Sequence, residues 1–181
     1  MYFAQGDYSK ALEYFEEVLK IRLSVYGENH SRVASVYNDI GEIYSVQGDD
    51  FKALDYFKKS LKIVLSVYGE NHSQVSSIYD HIGEVYFAQK DYSKALYYFE
   101  ESLKIRLSLF GENHPEVALS YYSIGSLYII QGDKSKALNY YEKSLKIRLS
   151  VYGENHPLTK EIMDLINVAN SKVLQSPETT K

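Results

Sequence analysis

Apolar residues recur along most of the chain at the three- and four-residue spacing of an amphipathic helix. Val117, Tyr121, Ile124, Gly125 and Tyr128 fall on one helical face. The same face recurs at residues 75–86 and 33–44, each time 42 residues earlier in the chain. This spacing predicts helices rather than strands, and its repetition predicts a repeat protein.

A second apolar face follows each of these predicted helices. It consists of an alanine, a leucine, an aromatic residue and another leucine, as in Ala95, Leu96, Phe99 and Leu103. A glycine inside the first helix costs about 1 kcal/mol relative to alanine, so a packing reason for it is expected. We expect the alanine of the second helix to lie opposite that glycine, so that the two helices pair closely as a hairpin with aromatic rings on either side.

Two kinds of turn separate the predicted helices. A Gly-Glu-Asn-His tetrad begins at 27, 69, 111 and 153. At the third tetrad Gly111 is predicted to end one helix, Asn113 to cap the next, and Pro115 to lie in its first turn. Lys104 and Arg106 precede this tetrad, where cations interact favourably with the helix dipole. The other turn is Gln-Gly-Asp at 47–49 and 131–133, in which glycine ends one helix and aspartate caps the next.

The motifs resemble the tetratricopeptide repeat. Gly-Asp-Tyr-Ser-Lys-Ala-Leu at 6–12 and aromatic-x-x-Ile-Gly-x-x-Tyr at 37–44 follow its pattern, and Lys90 stands in place of one turn glycine. In the next repeat the pattern is occupied by Tyr79, Ile82, Gly83, Tyr86, Ala95 and Phe99. The longer period and the Gly-x-x-His-Pro turn resemble the repeats of kinesin light chain. The resemblance implies an all-α fold, a right-handed α-solenoid of antiparallel helical hairpins.

The repeats predict a single array over residues 1–174, with about four repeats of which the first is truncated. Residues 1–5 correspond only to the last turn of a first-type helix. The helix predicted at 157–174 acts as a cap, because Asn167 and Asn170 replace the repeat's glycine and tyrosine. Residues 175–181 are polar and are predicted to be disordered.

In tetratricopeptide domains the first helix of each hairpin lines a concave groove, and the resemblance assigns the groove positions here. Two helices contribute mostly polar and acidic residues, namely Ser35, Asn38, Asp39, Glu42, Ser45, Ser77, Asp80, His81, Glu84 and Phe87. The third contributes Leu119, Tyr122, Ser123, Ser126 and Ile129, and the last contributes Glu161, Asp164, Leu165, Val168 and Ser171. We therefore predict a groove that is acidic at one end and apolar at the other.

Such a groove favours a protein or peptide partner with basic and apolar residues. Phe87 and Tyr122 are the favoured aromatic anchors, because large rings are enriched at binding hot spots. The alternative for each polar position is an ordinary solvated surface. Members that clamp acidic chaperone tails use lysine, arginine and asparagine here, and only Asn38 matches, so such tails are not expected to bind.

Composition narrows the functional class further. The net charge of −4 gives no reason to expect nucleic acid or an anionic membrane as partner, and the chain has no cysteine. No signal peptide is recognised at residues 1–6, so a cytoplasmic protein is expected. The four tetrad histidines are predicted to have a structural role in their turns, because they should lie too far apart to share a metal ion. His81 with Asp80 and Glu84 lacks a nucleophile and a pocket, so no metal, no cofactor and no catalysis are predicted.

Two further functions remain open at this point. The truncated first repeat is expected to expose Ala11, Leu12 and Phe15, which makes self-association possible. The chain would then be a structural or oligomerising spacer. It could also be a regulatory module of a larger multidomain protein.

Overall fold

A computed structural model describes residues 8–171, and every regular element within that range is an α-helix. Helices contact their neighbours in chain order, so the predicted all-α repeat solenoid is confirmed. The predicted partial helix at 1–5, the end of the cap helix at 172–174 and the disordered tail at 175–181 lie outside the described residues. The helices are α1 (Tyr8–Tyr26), α2 (Ser31–Gln47), α3 (Asp50–Tyr68), α4 (Ser73–Ala88), α5 (Tyr92–Phe110), α6 (Pro115–Gln131), α7 (Lys134–Tyr152) and α8 (Pro157–Ser171).

The chain divides into two compact units, Met1–Ile105 and Arg106–Lys181. In the first unit α2 packs on α1 and α3, and α3 also packs on α4. Its core is formed by fully buried aliphatic residues and one ring, including Val33, Ile82, Val75 and Phe57. In the second unit α7 packs on α6 and α8, around Val117, Ile124, Ile162 and Tyr141.

The turns between the paired helices have the predicted chemistry. Gly48 adopts a left-handed φ of 76°, and the Asp49 side chain accepts a hydrogen bond from the backbone N–H of Lys52. Lys90 takes the same position between α4 and α5 with a φ of 62°, although it carries a Cβ atom. A left-handed conformation strains a residue other than glycine, so this turn is built at a free-energy cost that the Gly48 turn avoids.

Histidine, and not asparagine, caps the helices that follow the tetrads. The prediction for Asn113 is wrong: His114 is the N-cap of α6, and its Nδ1 accepts the backbone N–H of Glu116 at 3.2 Å. The Phe110 ring stacks on the His114 imidazole with ring centres 4.4 Å apart, which holds the acceptor in place. The same cap recurs at His30, His72 and His156, so the structural turn role predicted for the tetrad histidines is confirmed.

The glycine within each first helix packs against a ring of the second helix, and at Gly125 the backbone oxygen of Ala137, the alanine predicted to face it, also lies close, at 3.3 Å. A Cβ atom placed on Gly83 would lie 2.7 Å from Cε1 of Phe99, and Gly41 stands in the same relation to Phe57. Such distances are well below the usual 3.5–4.0 Å carbon contact. The aromatic side chain therefore lies directly on the glycine, and the missing side chain makes room for it.

Candidate functional site

Ten side chains on α2 and α4 form the acidic part of the predicted groove, and we call this set the α2–α4 stripe. Most of its members are half-buried, whereas Ser77 and Glu84 are exposed. The set comprises Ser35, Asn38, Asp39, Glu42 and Ser45 on α2 and Ser77, Asp80, His81, Glu84 and Phe87 on α4. Phe87 makes an edge contact with the ring of Tyr92, with ring centres 5.9 Å apart.

His81 brings the two helices of this stripe together. Its Nδ1 lies 3.1 Å from Oδ1 of Asn38, and Nδ2 of Asn38 donates to Oε1 of Glu42 at 2.6 Å. Because an amide oxygen only accepts, the hydrogen bond places the proton of His81 on Nδ1. Its Nε2 then lies 3.7 Å from the Glu42 carboxylate and pairs with it when the imidazole is charged. Sequence spacing placed these residues on one surface but did not reveal this bonded cluster.

Three carboxyl groups of the stripe, those of Asp39, Glu42 and Glu84, have raised pKa values. Burial raises the pKa of Asp39 to about 6, with a further contribution from Glu42 and an opposing one from Arg22. Burial also raises the pKa of Glu42, although the hydrogen bond from Asn38 works against this. Desolvation raises the pKa of Glu84, and the charges of Asp80 and Glu42 add to the effect. A cation bound beside these groups would relieve their mutual repulsion.

Two open cavities lie along the α2–α4 stripe. The first measures about 210 Å³ and is lined by Glu42, Ser45, Val46, Phe57, His81 and Glu84. The second measures about 110 Å³ and is lined by Ser35, Asn38, Asp39, Ser60, Val64, Gln74, Ser77 and Ile78. Both cavities are large enough to admit a polar group of a ligand, since a single water molecule needs roughly 10–15 Å³ of cavity volume. The stripe is therefore a surface with recesses rather than a flat solvated face.

The corresponding stripe on α6 has apolar side chains at two exposed positions. Leu119 and Ile129 are 45% and 37% exposed. Tyr122, in contrast, is half-buried: its hydroxyl donates to Glu161 at 3.1 Å, and the Arg148 guanidinium lies 5.0 Å from its ring centre. Ser126 accepts a hydrogen bond from the hydroxyl of Tyr141 at 3.2 Å. Tyr122 and Ser126 thus have structural partners within the second unit, which the sequence did not predict.

Sequence reasoning missed a set of buried arginines on the second helices. Arg106 was predicted to interact with the helix dipole, and this prediction is wrong. Its side chain is only 4% exposed, pairs with Glu116 at 3.0 Å and donates to Ser120 at 2.8 Å. Arg148, equally buried, donates to the carbonyl of Leu158 at 2.6 Å. The spacing of Arg106 from buried Phe99 and Leu103, seven and three residues earlier, was the available signal for an inward position.

The apolar face of α1 was predicted to be exposed and to allow self-association, but its residues are buried or half-buried. Ala11 is 3% exposed, and Leu12 and Phe15 are half-buried.

Among residues 8–171 no helix combines the length and apolarity that crossing a bilayer requires. Over the same residues, no three acidic or histidine side chains are grouped closely enough to bind a metal ion.

Solved structures of repeat proteins match the fold over nearly the whole chain. BtubC (BKLC) from P. vanneervenii is 20% identical with a TM-score of 0.78, over 99% of this chain and 80% of its own. A kinesin light chain candidate from Podosopora anserina with nearly identical TPR-like repeats is 16% identical with a TM-score of 0.73, over 97% and 92%. The apo form of RapI is 18% identical with a TM-score of 0.80, over 96% and 60%. At these identities the likeness establishes the fold.

Sequence comparison identifies the family directly. No curated protein matches the chain. The family model described as tetratricopeptide repeat matches three overlapping stretches, 1–64, 32–108 and 74–150. The chain belongs to the tetratricopeptide repeat family.

Proposed function

We propose that the chain is a non-catalytic protein-interaction module whose α2–α4 stripe binds a partner segment containing lysine or arginine. Tetratricopeptide repeats generally mediate protein–protein interaction, which supports the class of function. The observation that carries the finer proposal is the grouping of carboxyl groups on the stripe: Glu42 and Glu84 line one recess, and the charge of Glu42 helps to raise the pKa values of Asp39 and Glu84. A basic segment would bring further positive charge to this group of carboxylates.

The exposed side chains of α6 extend the proposal to apolar residues of the partner. Leu119 and Ile129 lie at groove positions of the family and present aliphatic surface to solvent. Apolar side chains of the partner would cover them and remove this aliphatic surface from water. The proposed ligand class is therefore a peptide that combines Lys or Arg with Leu, Phe or Tyr.

The test is a peptide-array screen of the wild type against a Glu42→Gln/Glu84→Gln variant, followed by titration of the best peptides. We expect basic-apolar peptides to bind the wild type and to lose about tenfold or more in affinity to the variant, since charged hydrogen bonds contribute about 1.5–3 kcal/mol. Raising the ionic strength should weaken wild-type binding. The matched control is Glu100→Gln/Glu142→Gln, which removes two exposed carboxylates outside the stripe.

Two results would contradict the proposal. One is equal binding of the basic peptides to the wild type and the Glu42→Gln/Glu84→Gln variant. The other is an equal loss of affinity in the Glu100→Gln/Glu142→Gln control, which would mean that only net charge matters. Binding lost in the first variant and kept in the second would locate recognition at the stripe.

A further inference from the structure

One repeat of the chain lacks the internal arginine that the others have. The second helices of the repeats carry Arg22, Arg106 and Arg148 at the same register, 42 residues or a multiple of it apart, and the fourth such position is Val64. Val64 is fully buried in α3. The valine side chain is much shorter than an arginine side chain. This repeat therefore has space where the other repeats hold a guanidinium group.

The arginines of the other repeats show what surrounds that position. Each guanidinium reaches the start of the following first helix: Arg22 donates to Ser35 Oγ at 2.9 Å, and Arg106 pairs with Glu116 at 3.0 Å. The positions 42 residues from Ser35 and Glu116 in the Val64 repeat are Ser77 and Gln74. Both carry oxygen atoms that can accept hydrogen bonds, as their counterparts do.

A cavity of about 110 Å³ lies at this point in the first unit, and Val64, Gln74 and Ser77 all line it. The Oε1 atom of Gln74 is buried and has no hydrogen-bond partner among the described residues. In the second unit the equivalent Glu116 carboxylate binds the Arg106 guanidinium. The cavity thus retains the acceptors of an arginine site, whereas the chain itself supplies valine there.

The opening of the cavity belongs to the α2–α4 stripe. Asn38 and Asp39 line it from α2, and Glu42 contributes a second carboxylate that interacts with Asp39. Within the part of the chain that the structure describes, the cation that acts on Asp39 is Arg22, which is itself bonded to Ser35 and to the carbonyl of Arg32. The carboxylates of Asp39 and Glu42 therefore outnumber the guanidinium of Arg22 at the entrance.

We propose that this cavity is a subsite for an arginine side chain of the bound partner, which places its guanidinium where Arg106 and Arg148 lie in their own repeats. The inference rests on the proposed function for its ligand, a basic segment at the α2–α4 stripe. Arginine fits better than lysine because its planar group has five donors in a fixed arrangement, and the acceptors of Gln74, Ser77 and Asp39 surround the cavity.

The first experiment tests the subsite without any peptide. Methylguanidinium chloride and methylammonium chloride are titrated into ¹⁵N-labelled protein, and the side-chain amide signals of Gln74 and Asn38 are followed by NMR. We expect saturable shifts with methylguanidinium and weaker ones with methylammonium. Val64→Arg should abolish the response, because the introduced guanidinium fills the cavity.

A second variant keeps the test decisive if Val64→Arg does not fold. Gln74→Met preserves the size of the side chain, removes the buried acceptor and leaves the backbone N–H that His72 caps. It should weaken the methylguanidinium response at Asn38. Absence of saturable shifts in the wild type, or equal shifts in the wild type and in the variants that fold, would overturn the subsite.

The second experiment separates the subsite from the proposed function. The tightest arginine-containing array peptide is compared with its lysine and citrulline versions on the wild type and on Val64→Arg. We expect arginine to bind about tenfold more tightly than lysine to the wild type, as loss of charged hydrogen bonds implies, and the preference to vanish in Val64→Arg. Equal binding of arginine and lysine overturns the subsite and leaves the basic-segment proposal intact. Methylguanidinium binding with no peptide binding leaves the subsite and overturns that proposal.

Discussion

The contact between Gly83 and Phe99 makes a quantitative prediction about the hairpin. Replacing Gly83 with alanine adds a methyl group that would lie 2.7 Å from Cε1 and 2.8 Å from Cδ1 of Phe99. The Phe99 ring is 5% exposed and cannot retreat into solvent without leaving the core. Because a carbon pair is most stable near 3.5–4.0 Å, the ring or the helix must shift.

Two opposing effects decide whether Gly83→Ala raises or lowers the free energy of unfolding. Alanine is favoured over glycine within a helix by about 1 kcal/mol, whereas overpacking a dense core costs about 1–3 kcal/mol. Gly83→Ala should therefore lower the free energy of unfolding by about 0–2 kcal/mol, and Gly83→Leu should lower it more. Ser77→Ala, on the exposed side of the same helix, serves as the control and should change it little.

A double-variant comparison isolates the steric term. With Phe99→Leu as background the ring is absent, so adding Gly83→Ala should now raise the free energy of unfolding by about 1 kcal/mol, the helix-propensity gain alone. Urea unfolding followed by far-UV circular dichroism measures all four proteins. If Gly83→Ala stabilises the wild type as much as it stabilises the Phe99→Leu protein, the coupling is zero and the contact does not explain the glycine.

Three other predictions follow from single positions. Lys90→Gly should raise the free energy of unfolding in urea by about 0.5–1 kcal/mol. It relieves the strain of a left-handed residue, and this gain exceeds the cost of the greater conformational entropy that glycine gives the unfolded chain. Gly48→Ala should lower the free energy of unfolding, because alanine would be strained at the same left-handed position. His72→Ala should lower it by about 1 kcal/mol through loss of the α4 cap, and His72→Asn should restore most of this loss. Asp39 binds a proton more tightly in the folded state, with a pKa of about 6 against 3.8, so wild-type stability should fall as pH rises from 4 to 6. Asp39→Asn should remove about 1–2 kcal/mol of that fall in a pH series of urea unfolding.

Helix existence and order were predictable because they depend on local periodicity and on turn residues. The glycine and aspartate at 48–49 determine φ and supply a cap acceptor within two residues, and the structure uses both as predicted. The cap at His114 could not be predicted from cap preferences, which favour Asn113. It depends on the stacked ring of Phe110, a contact made only once the turn has formed.

The candidate site was predictable as a surface but not as a set of contacts. Helical spacing placed Glu42 and His81 on their helices correctly, yet the hydrogen bonds through Asn38 depend on how α2 and α4 are positioned by the core. Tyr122 is a second example. Its spacing assigns it to the groove, but the spacing does not reveal that Arg148 of α7 and Glu161 of α8 contact it.

Repetition distinguishes packing from recognition within this chain. A residue needed for the fold is required in every repeat, and the hairpin glycines and the capping histidines accordingly recur at each equivalent position between α2 and α7. The α2–α4 stripe does not recur, since Glu42 and Glu84 are replaced by Ser126 in the next repeat. Val64 departs from the arginine series in the same unit as these carboxylates. Packing alone would be served by arginine at 64 as it is at 106 and 148, so the coincidence of a missing guanidinium with an acidic surface favours a cation supplied by a partner.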